Sequence, residues 1–117
     1  MPQDRDRPER FLPLKPLVLD ILLALADGKR HGWSVVRDLQ QREGGEKLLP
    51  GNFYRTLRCL RDDGLIEEAP GDANEDPGER RQYFRLTRLG TLVARAEARR
   101  IRAVMVDPRT QKLLKAR

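Results

Sequence analysis

The sequence predicts a single, mainly α-helical domain that carries one small β-hairpin. Apolar residues recur at helical spacing in four segments, and glycine, proline or acidic residues interrupt this pattern between the segments. Two short segments of strand-forming residues flank a run rich in Gly, Pro, Asn and Asp. With 117 residues, of which 38% are hydrophobic, the chain has enough apolar material for one modest core. These observations together indicate one α+β domain.

The first helix follows residues 1–13, a stretch of mixed charge that we expect to be a disordered tail. Its apolar residues recur every three or four positions until Gly28 ends the pattern. They are Leu14, Leu17, Val18, Ile21, Leu22 and Leu25. Leu19 and Leu23 fall on a second face, so the helix is apolar most of the way round. We therefore expect one side to meet the core and the other to meet a second subunit.

Two further helices are predicted before the hairpin. The second runs from Trp33 to about Arg42, where a Glu-Gly-Gly sequence ends it. The third begins at Pro50, because the first turn of a helix tolerates a residue without a backbone N–H. Gly64 ends it, since glycine suits the left-handed cap that follows a helix. The third helix has the best defined ends in the sequence.

The predicted hairpin consists of two short strands, residues 65–68 and 81–86, around the turn-rich residues 69–78. Its tip is acidic, because no basic residue lies between Pro70 and Glu79. Phosphate repels such a tip, so we do not expect it to enter a DNA groove. The candidates for contact with a DNA backbone on the strand are Arg80, Arg81 and Arg85. A solvated strand face is the alternative interpretation of these three arginines.

The last helix is predicted over residues 88–106, with Thr87 as its N-cap and residues 107–117 as a tail. It lies beyond the hairpin, where little of the domain core is left to cover, so its apolar side suggests a partner helix. A symmetric homodimer is the commonest way to supply one. The predicted dimer interface consists of Leu19, Leu23, Leu89, Leu92, Val93, Ala96 and Val104.

The opposite side of the last helix carries arginines, and two interpretations of it stay open. These residues are Arg88, Arg95, Arg99 and Arg102. They either steer DNA towards the protein or form a solvated helix face. Arg100 falls within the apolar side, and its expected partner is Glu97 or an acidic residue of the second subunit.

Three helices, a hairpin and a further helix describe a winged helix-turn-helix plus a C-terminal dimerisation helix, with residues 14–87 as the DNA-binding domain. In that fold the third helix enters the major groove. Phe53, Leu57 and Leu60 share the core side of this helix. The predicted DNA contacts on its other side are Asn52, Tyr54, Arg55 and Arg58. Asn and Arg form paired hydrogen bonds with adenine and guanine, and a tyrosine hydroxyl reaches phosphate. An ordinary amphipathic helix with solvated arginines is the alternative interpretation of this pattern alone.

Four motifs in order connect the sequence with a known family. They are Leu22-Leu-Ala-Leu25 with Gly28, His31-Gly32-Trp33, Pro50-Gly-Asn-Phe-Tyr-Arg-Thr-Leu57 with Leu60 and Asp63-Gly-Leu-Ile66, and Arg80-Arg-Gln-Tyr-Phe-Arg-Leu-Thr87 with Gly90. On these motifs, residues 14 to 95 resemble the PadR-like transcriptional regulators. The resemblance implies a cytoplasmic, homodimeric, DNA-binding regulator, usually a repressor, whose first and last helices form the dimer. It also implies a small aromatic or multidrug-like effector near that interface. The family often has Ser or Thr where this sequence has Asn52, which implies a different base preference.

The single histidine and the single cysteine exclude several classes of site. His31 cannot form a His-based metal site or catalytic relay within one chain, so we expect no metal, no cofactor and no enzymatic activity. His31 is expected to cap or pack at a helix start. Trp33 either packs against the first helix or stacks on a flat effector. Cys59 cannot form an internal disulfide and is either a redox sensor or an inert thiol.

Charge and composition limit the partners. The net charge of +6 is typical of a protein with a polyanionic partner. The absence of a bilayer-spanning apolar run and of a signal peptide h-region indicates a cytoplasmic protein. Two alternative functions are therefore consistent with the sequence. The first is a regulator that binds a palindromic DNA operator as a homodimer, and the second is a winged-helix module that binds another protein.

Overall fold

The computed structural model describes residues 7–41, 50–70 and 82–116 of the chain. The elements in this part are α1 (Pro16–Ala24), β1 (Arg30–His31), α2 (Gly32–Gln41), α3 (Pro50–Asp62), β2 (Ile66–Ala69), β3 (Tyr83–Leu86), α4 (Arg88–Val106) and α5 (Pro108–Lys115). The fold is mostly helical with a small antiparallel sheet, which confirms the predicted class. Among the helices of these three ranges, none has both the length and the apolar character needed to cross a membrane.

α3 ends just before Gly64, the glycine from which the end of this helix was predicted. Gly64 has a φ of +79°, a left-handed conformation that only glycine adopts without strain. This turn brings the N–H of Leu65 to the carbonyl of Leu60, at a distance of 2.9 Å. The bond satisfies one of the free carbonyls at the helix end. Because Leu60 and Leu65 are both buried, the turn also leads the chain directly from α3 into the core.

The sheet contains one strand that the sequence analysis did not predict. β1 pairs antiparallel with β3, so the strand order is β1-β3-β2, and His31 lies opposite Tyr83. Two residues are too few to show the alternation that identifies a strand in a sequence. The two predicted strands are confirmed over Ile66–Ala69 and Tyr83–Leu86. The acidic tip of the hairpin falls in residues 71–81, outside the described part of the chain.

The turn between β1 and α2 is held by side chains. His31 Nδ1 accepts the backbone N–H of Ser34 at 3.0 Å, so His31 caps the start of α2 as predicted. Arg30 donates to the hydroxyl of Ser34, and its Nη1 lies 2.5 Å from the carboxylate of Asp38. The hydrogen bond from Arg30 holds the pKa of Asp38 below its ordinary value. These contacts fix the first turns of α2, the helix that precedes α3 in the chain.

The N-terminal segment does not fit the predicted disordered tail over the residues that the structure describes. Pro8–Phe11 forms a 3₁₀ turn, and the side chains of Phe11 and Leu12 pack against the core. The backbone N–H of Leu14 donates to Glu97 Oε2 at 2.7 Å. The segment therefore lies along α4 and covers part of its apolar side. The prediction was wrong here because mixed charge around two apolar residues gives no helical period to detect.

The bounds predicted for the last helix are confirmed, but one of its proposed interface residues is not exposed. The hydroxyl of Thr87 accepts the N–H of Gly90 at 3.0 Å, which caps α4. Val93 is fully buried in the core of its own chain. Its assignment to the dimer interface was therefore wrong. The apolar residues of α4 extend over two adjacent faces of the helix. The sequence does not show which face packs against the core of the same chain.

Residues 107–117 also differ from the prediction of a tail. Pro108–Lys115 forms α5, and the carboxylate of Asp107 accepts the N–H of Arg109 at 2.8 Å as its N-cap. The Asp-Pro pair that marks the end of α4 is also a helix start, because proline suits the first helical position. Leu113 and Leu114 on α5 remain exposed.

Glu97 gives the fold a pH dependence. The hydrogen bond from Arg100, and then the one from the N–H of Leu14, hold the pKa of this buried carboxyl below its ordinary value of 4.5. The ionised form is therefore the one that the fold favours, and its stabilisation is present above that value and is lost as the pH falls through the lower, folded pKa. The stability advantage of the parent over Glu97→Gln should be largest near neutral pH and shrink in acid. Urea unfolding across this range measures it, and parallel profiles would contradict it.

Candidate nucleic-acid interface

α3 has a buried side and an exposed side. Phe53, Leu57 and Leu60 are at most 3% exposed and lie in the core. The predicted DNA contacts are all exposed, and they are Asn52, Tyr54, Arg55 and Arg58. This alternation follows the helical period, so the predicted division of the helix into two sides is confirmed. Cys59 also lies on the exposed side.

Arg55 and Arg58 carry charges that no described neighbour neutralises. Neither side chain has an ion pair or a hydrogen bond with any residue in the ranges 7–41, 50–70 and 82–116. Because they are three positions apart on a helix, the two side chains are neighbours on the same face. Two adjacent guanidinium groups without acidic partners among the described residues have the chemistry to bind phosphate or the acceptor edge of guanine.

Tyr54 lies where the exposed side of α3 meets the rest of the protein. Its ring packs edge to face against Phe53, with 5.4 Å between the ring centroids, and the residue remains 45% exposed. A Cβ added at Gly32 would come within 3.6 Å of the side chains of both Tyr54 and Leu57. The start of α2 therefore packs closely on α3, which supports the ring of Tyr54.

Of the three predicted strand arginines, the structure describes Arg85, and an acidic residue lies next to it. Arg85 on β3 lies opposite Glu67 on β2, and its Nε is 2.9 Å from the Glu67 carboxylate. Arg85 is thus partly neutralised by its cross-strand neighbour, although half of its side chain is exposed. The other two candidates, Arg80 and Arg81, lie outside the described residues.

A second glutamate of β2 connects the sheet with α3, and the sequence analysis missed it. Glu68 Oε1 accepts hydrogen bonds from Arg61 Nη1 at 3.1 Å and from Gln82 Nε2 at 2.6 Å. Glu67 and Glu68 are adjacent on a strand, so their side chains point to opposite faces of the sheet. One of the two therefore faces α3, but the alternation does not show which one or which residues it contacts.

A cleft of about 250 Å³ opens between α3 and β3. Its lining residues are Tyr54, Leu57, Arg58, Arg61, Gln82 and Phe84. Leu57 and Phe84 are buried and give the cleft an apolar floor, whereas the arginines lie at the exposed rim. The cleft thus joins the exposed side of α3 to the first residues of the strand.

The residue predicted to contact an effector is Trp33. The side chain of Trp33 lies outside the part of the molecule that the structure describes. Among the described residues there is no group of three or more His, Cys, Asp or Glu side chains that could hold a metal ion.

Comparisons with known proteins give one family and several structures with a similar fold. Residues 21–96 match the Transcriptional regulator PadR-like family. RosR of H. salinarum has a similar structure, with 23% identity and a TM-score of 0.64 over 90% of each chain. A PadR family transcription regulator from Clostridium difficile R20291 has 24% identity and a TM-score of 0.61 over 78% of this chain and 95% of that chain. A PadR family transcriptional regulator from Eggerthella lenta DSM 2243 has 23% identity and a TM-score of 0.64, over 86% and 83%. No curated protein matches the sequence.

At these identities the solved structures show the shared fold, and the family match identifies the sequence. The matched residues 21–96 make up more than half of the chain and include α3, the sheet and the start of α4. The four motifs of the sequence, the mostly helical fold with its hairpin and the family match thus lead to one conclusion. The chain belongs to the PadR-like family of transcriptional regulators.

Proposed function

We propose that this protein binds a DNA operator sequence-specifically by placing α3 in the major groove. The observation that carries the proposal is the exposed side of α3, where Asn52, Arg55 and Arg58 lie on a helix whose other side is fixed in the core. A helix held in this way presents its polar side chains in a defined geometry, which base recognition requires. Arginine and asparagine are the side chains that pair most specifically with guanine and adenine.

The protein acts as a homodimer on a palindromic operator in this proposal. Leu23 is 47% exposed and Val104 is 49% exposed, and both belong to the predicted interface on α1 and α4. The other members, Leu19, Leu89, Leu92 and Ala96, are partly buried in the single chain. Large apolar side chains at the surface favour a protein partner, and a second copy would place two α3 helices on successive major grooves, about 34 Å apart.

The proposed regulation is repression that a small aromatic ligand relieves. A dimer bound to a promoter blocks access to it, so repression follows from occupancy alone. The effector is proposed to stack on Trp33 near the dimer interface, because the flat indole ring favours aromatic ligands.

The proposal is tested by fluorescence anisotropy with DNA taken from upstream of the gene for this protein and of its neighbours. We expect saturable binding with two chains per site. The logarithm of the binding constant should fall linearly with the logarithm of the salt concentration, with a slope of about −0.9 for each phosphate contacted. Scrambled DNA of the same length is the control and should bind far more weakly. Binding that ignores salt and sequence would contradict the proposal and favour the alternative of a protein-binding module.

A further inference from the structure

The cleft between α3 and β3 has two kinds of surface. Its floor consists of the largely buried apolar side chains of Leu57 and Phe84, which are 3% and 5% exposed and so present a small apolar area. Its rim is polar and basic, with Arg58, Arg61 and Gln82. A ligand that matches this cleft must have an apolar part beside an anionic part.

The donors at the rim are only partly used by the protein itself. Arg58 makes no ion pair or hydrogen bond within the described ranges. Gln82 gives one of its two amide hydrogens to Glu68, so the second remains available. Arg61 uses Nη1 for the same carboxylate and keeps its other N–H groups. The rim therefore holds unused donors from both α3 and the strand region.

Glu68 determines the geometry of this rim. Because one carboxylate oxygen accepts from both Arg61 and Gln82, these two side chains are fixed across the cleft at distances of 3.1 Å and 2.6 Å from the same atom. The carboxylate also removes one positive charge from the rim. What remains is the charge of Arg58 beside a fixed amide, which suits a singly charged anion.

We propose that this cleft binds one sugar–phosphate unit of the DNA backbone. Arg58 and Gln82 bind the phosphate oxygens, the deoxyribose lies over Leu57 and Phe84, and Glu68 positions Gln82. A phosphodiester carries a single negative charge next to an apolar sugar face, which is the combination that the cleft matches. The inference rests on the proposed function, and it assigns Arg58 to the backbone while Asn52 and Arg55 read bases.

The first test compares Gln82→Ala with Gln111→Ala, the same change at an exposed position on α5. Loss of a hydrogen bond to a charged phosphate should weaken operator binding about tenfold or more in Gln82→Ala, and by less than about twofold in Gln111→Ala. Circular dichroism and urea unfolding establish that both variants are folded. If Gln82→Glu, which adds a negative charge to the rim, also binds the operator as tightly as Gln111→Glu, the proposal is overturned.

The second test locates the phosphate. Operators are prepared in which one linkage at a time is an uncharged methylphosphonate, and the binding of the parent is compared with that of Arg58→Ala. We expect one linkage in each half-site whose neutralisation weakens the parent about tenfold but has little further effect on Arg58→Ala. If the two losses add at every linkage, Arg58 does not contact a backbone phosphate in this cleft.

Two further outcomes separate the possible failures. If the parent binds its operator but Gln82→Ala matches its control, the cleft proposal is wrong and the proposed function stands. If the parent binds no DNA at all, both are wrong. A free anion is the other source of phosphate, and titration with inorganic phosphate at constant ionic strength tests it. The side-chain amide NMR signal of Gln82 is followed in both titrations. If inorganic phosphate shifts this signal and the operator does not, the assignment of the cleft to the DNA backbone is overturned.

Discussion

Gly90→Ala is expected to lower the free energy of unfolding by about 3 kcal/mol or more. A Cβ at this position would lie 1.9 Å from the carbonyl oxygen of Leu65 and 2.9 Å from its carbonyl carbon. Both atoms belong to the backbone, so no change of rotamer relieves the overlap. The same carbonyl accepts the N–H of Thr87 at 3.1 Å, and a shift of Leu65 would lengthen this bond as well.

The matched control for this change is Gly51→Ala. Gly51 also lies in a helix, but an added Cβ there meets no described residue within 4 Å. Since alanine has the higher helix propensity, this variant should be neutral or more stable by up to about 1 kcal/mol. Urea unfolding monitored by circular dichroism measures both variants. Equal stability of Gly90→Ala and the parent would show that α4 does not approach Leu65 this closely.

Arg55→Ala is expected to reduce operator affinity by about 1–3 kcal/mol while leaving the fold and the oligomeric state unchanged. Arg55 is exposed on α3 without a partner among the described residues, so its removal affects no contact within that part of the protein. Because the side chain is proposed to read a base, discrimination should be lost at one operator position. Affinity for unrelated DNA should fall much less. Arg58→Ala should instead weaken both kinds of DNA by similar factors and lower the salt slope by about 1.

Arg95→Ala provides the control for charge alone. Arg95 is exposed on α4, and its removal changes the net charge by the same amount. Anisotropy titrations of the three variants against the operator and all single-base changes in it give the comparison. If Arg55→Ala discriminates between bases as the parent does, the assignment of Arg55 to base reading is wrong.

The helices that surround the site follow from strong local signals in the sequence. α3 could be predicted with its ends because Pro50 and Gly64 act through the backbone itself, and its two sides follow from the spacing of Phe53, Leu57 and Leu60. The strand β1 could not be predicted, since it exists only through its pairing with β3. The same reason applies to the 3₁₀ turn at Pro8–Phe11, whose apolar residues are ordered by contact with α4.

The candidate site was predictable on α3 and not on the sheet. Exposure of Arg55 and Arg58 follows from helical period, which depends only on sequence position. The partners of Glu67 and Glu68 depend on strand register, and the sequence does not reveal which residues of two strands lie opposite one another. For this reason the neutralisation of Arg85 and the bridge from Arg61 to Gln82 emerge only from the structure.

The contact between Gly90 and Leu65 also has a mechanical consequence. The hydroxyl of Thr87 donates to the carbonyl of Gly64 at 2.5 Å, so the start of α4 is bonded to the turn that ends α3. Because this joint has no space for even a methyl group, we expect the two helices to move together. α4 has 19 residues and is therefore about 28 Å long. If the helix tilts by about 10° about one end, its other end moves by about 5 Å. One base-pair step of DNA is about 3.4 Å. In a dimer joined through α4, a small change in the angle between the subunits would therefore change the separation of the two α3 helices by more than one such step.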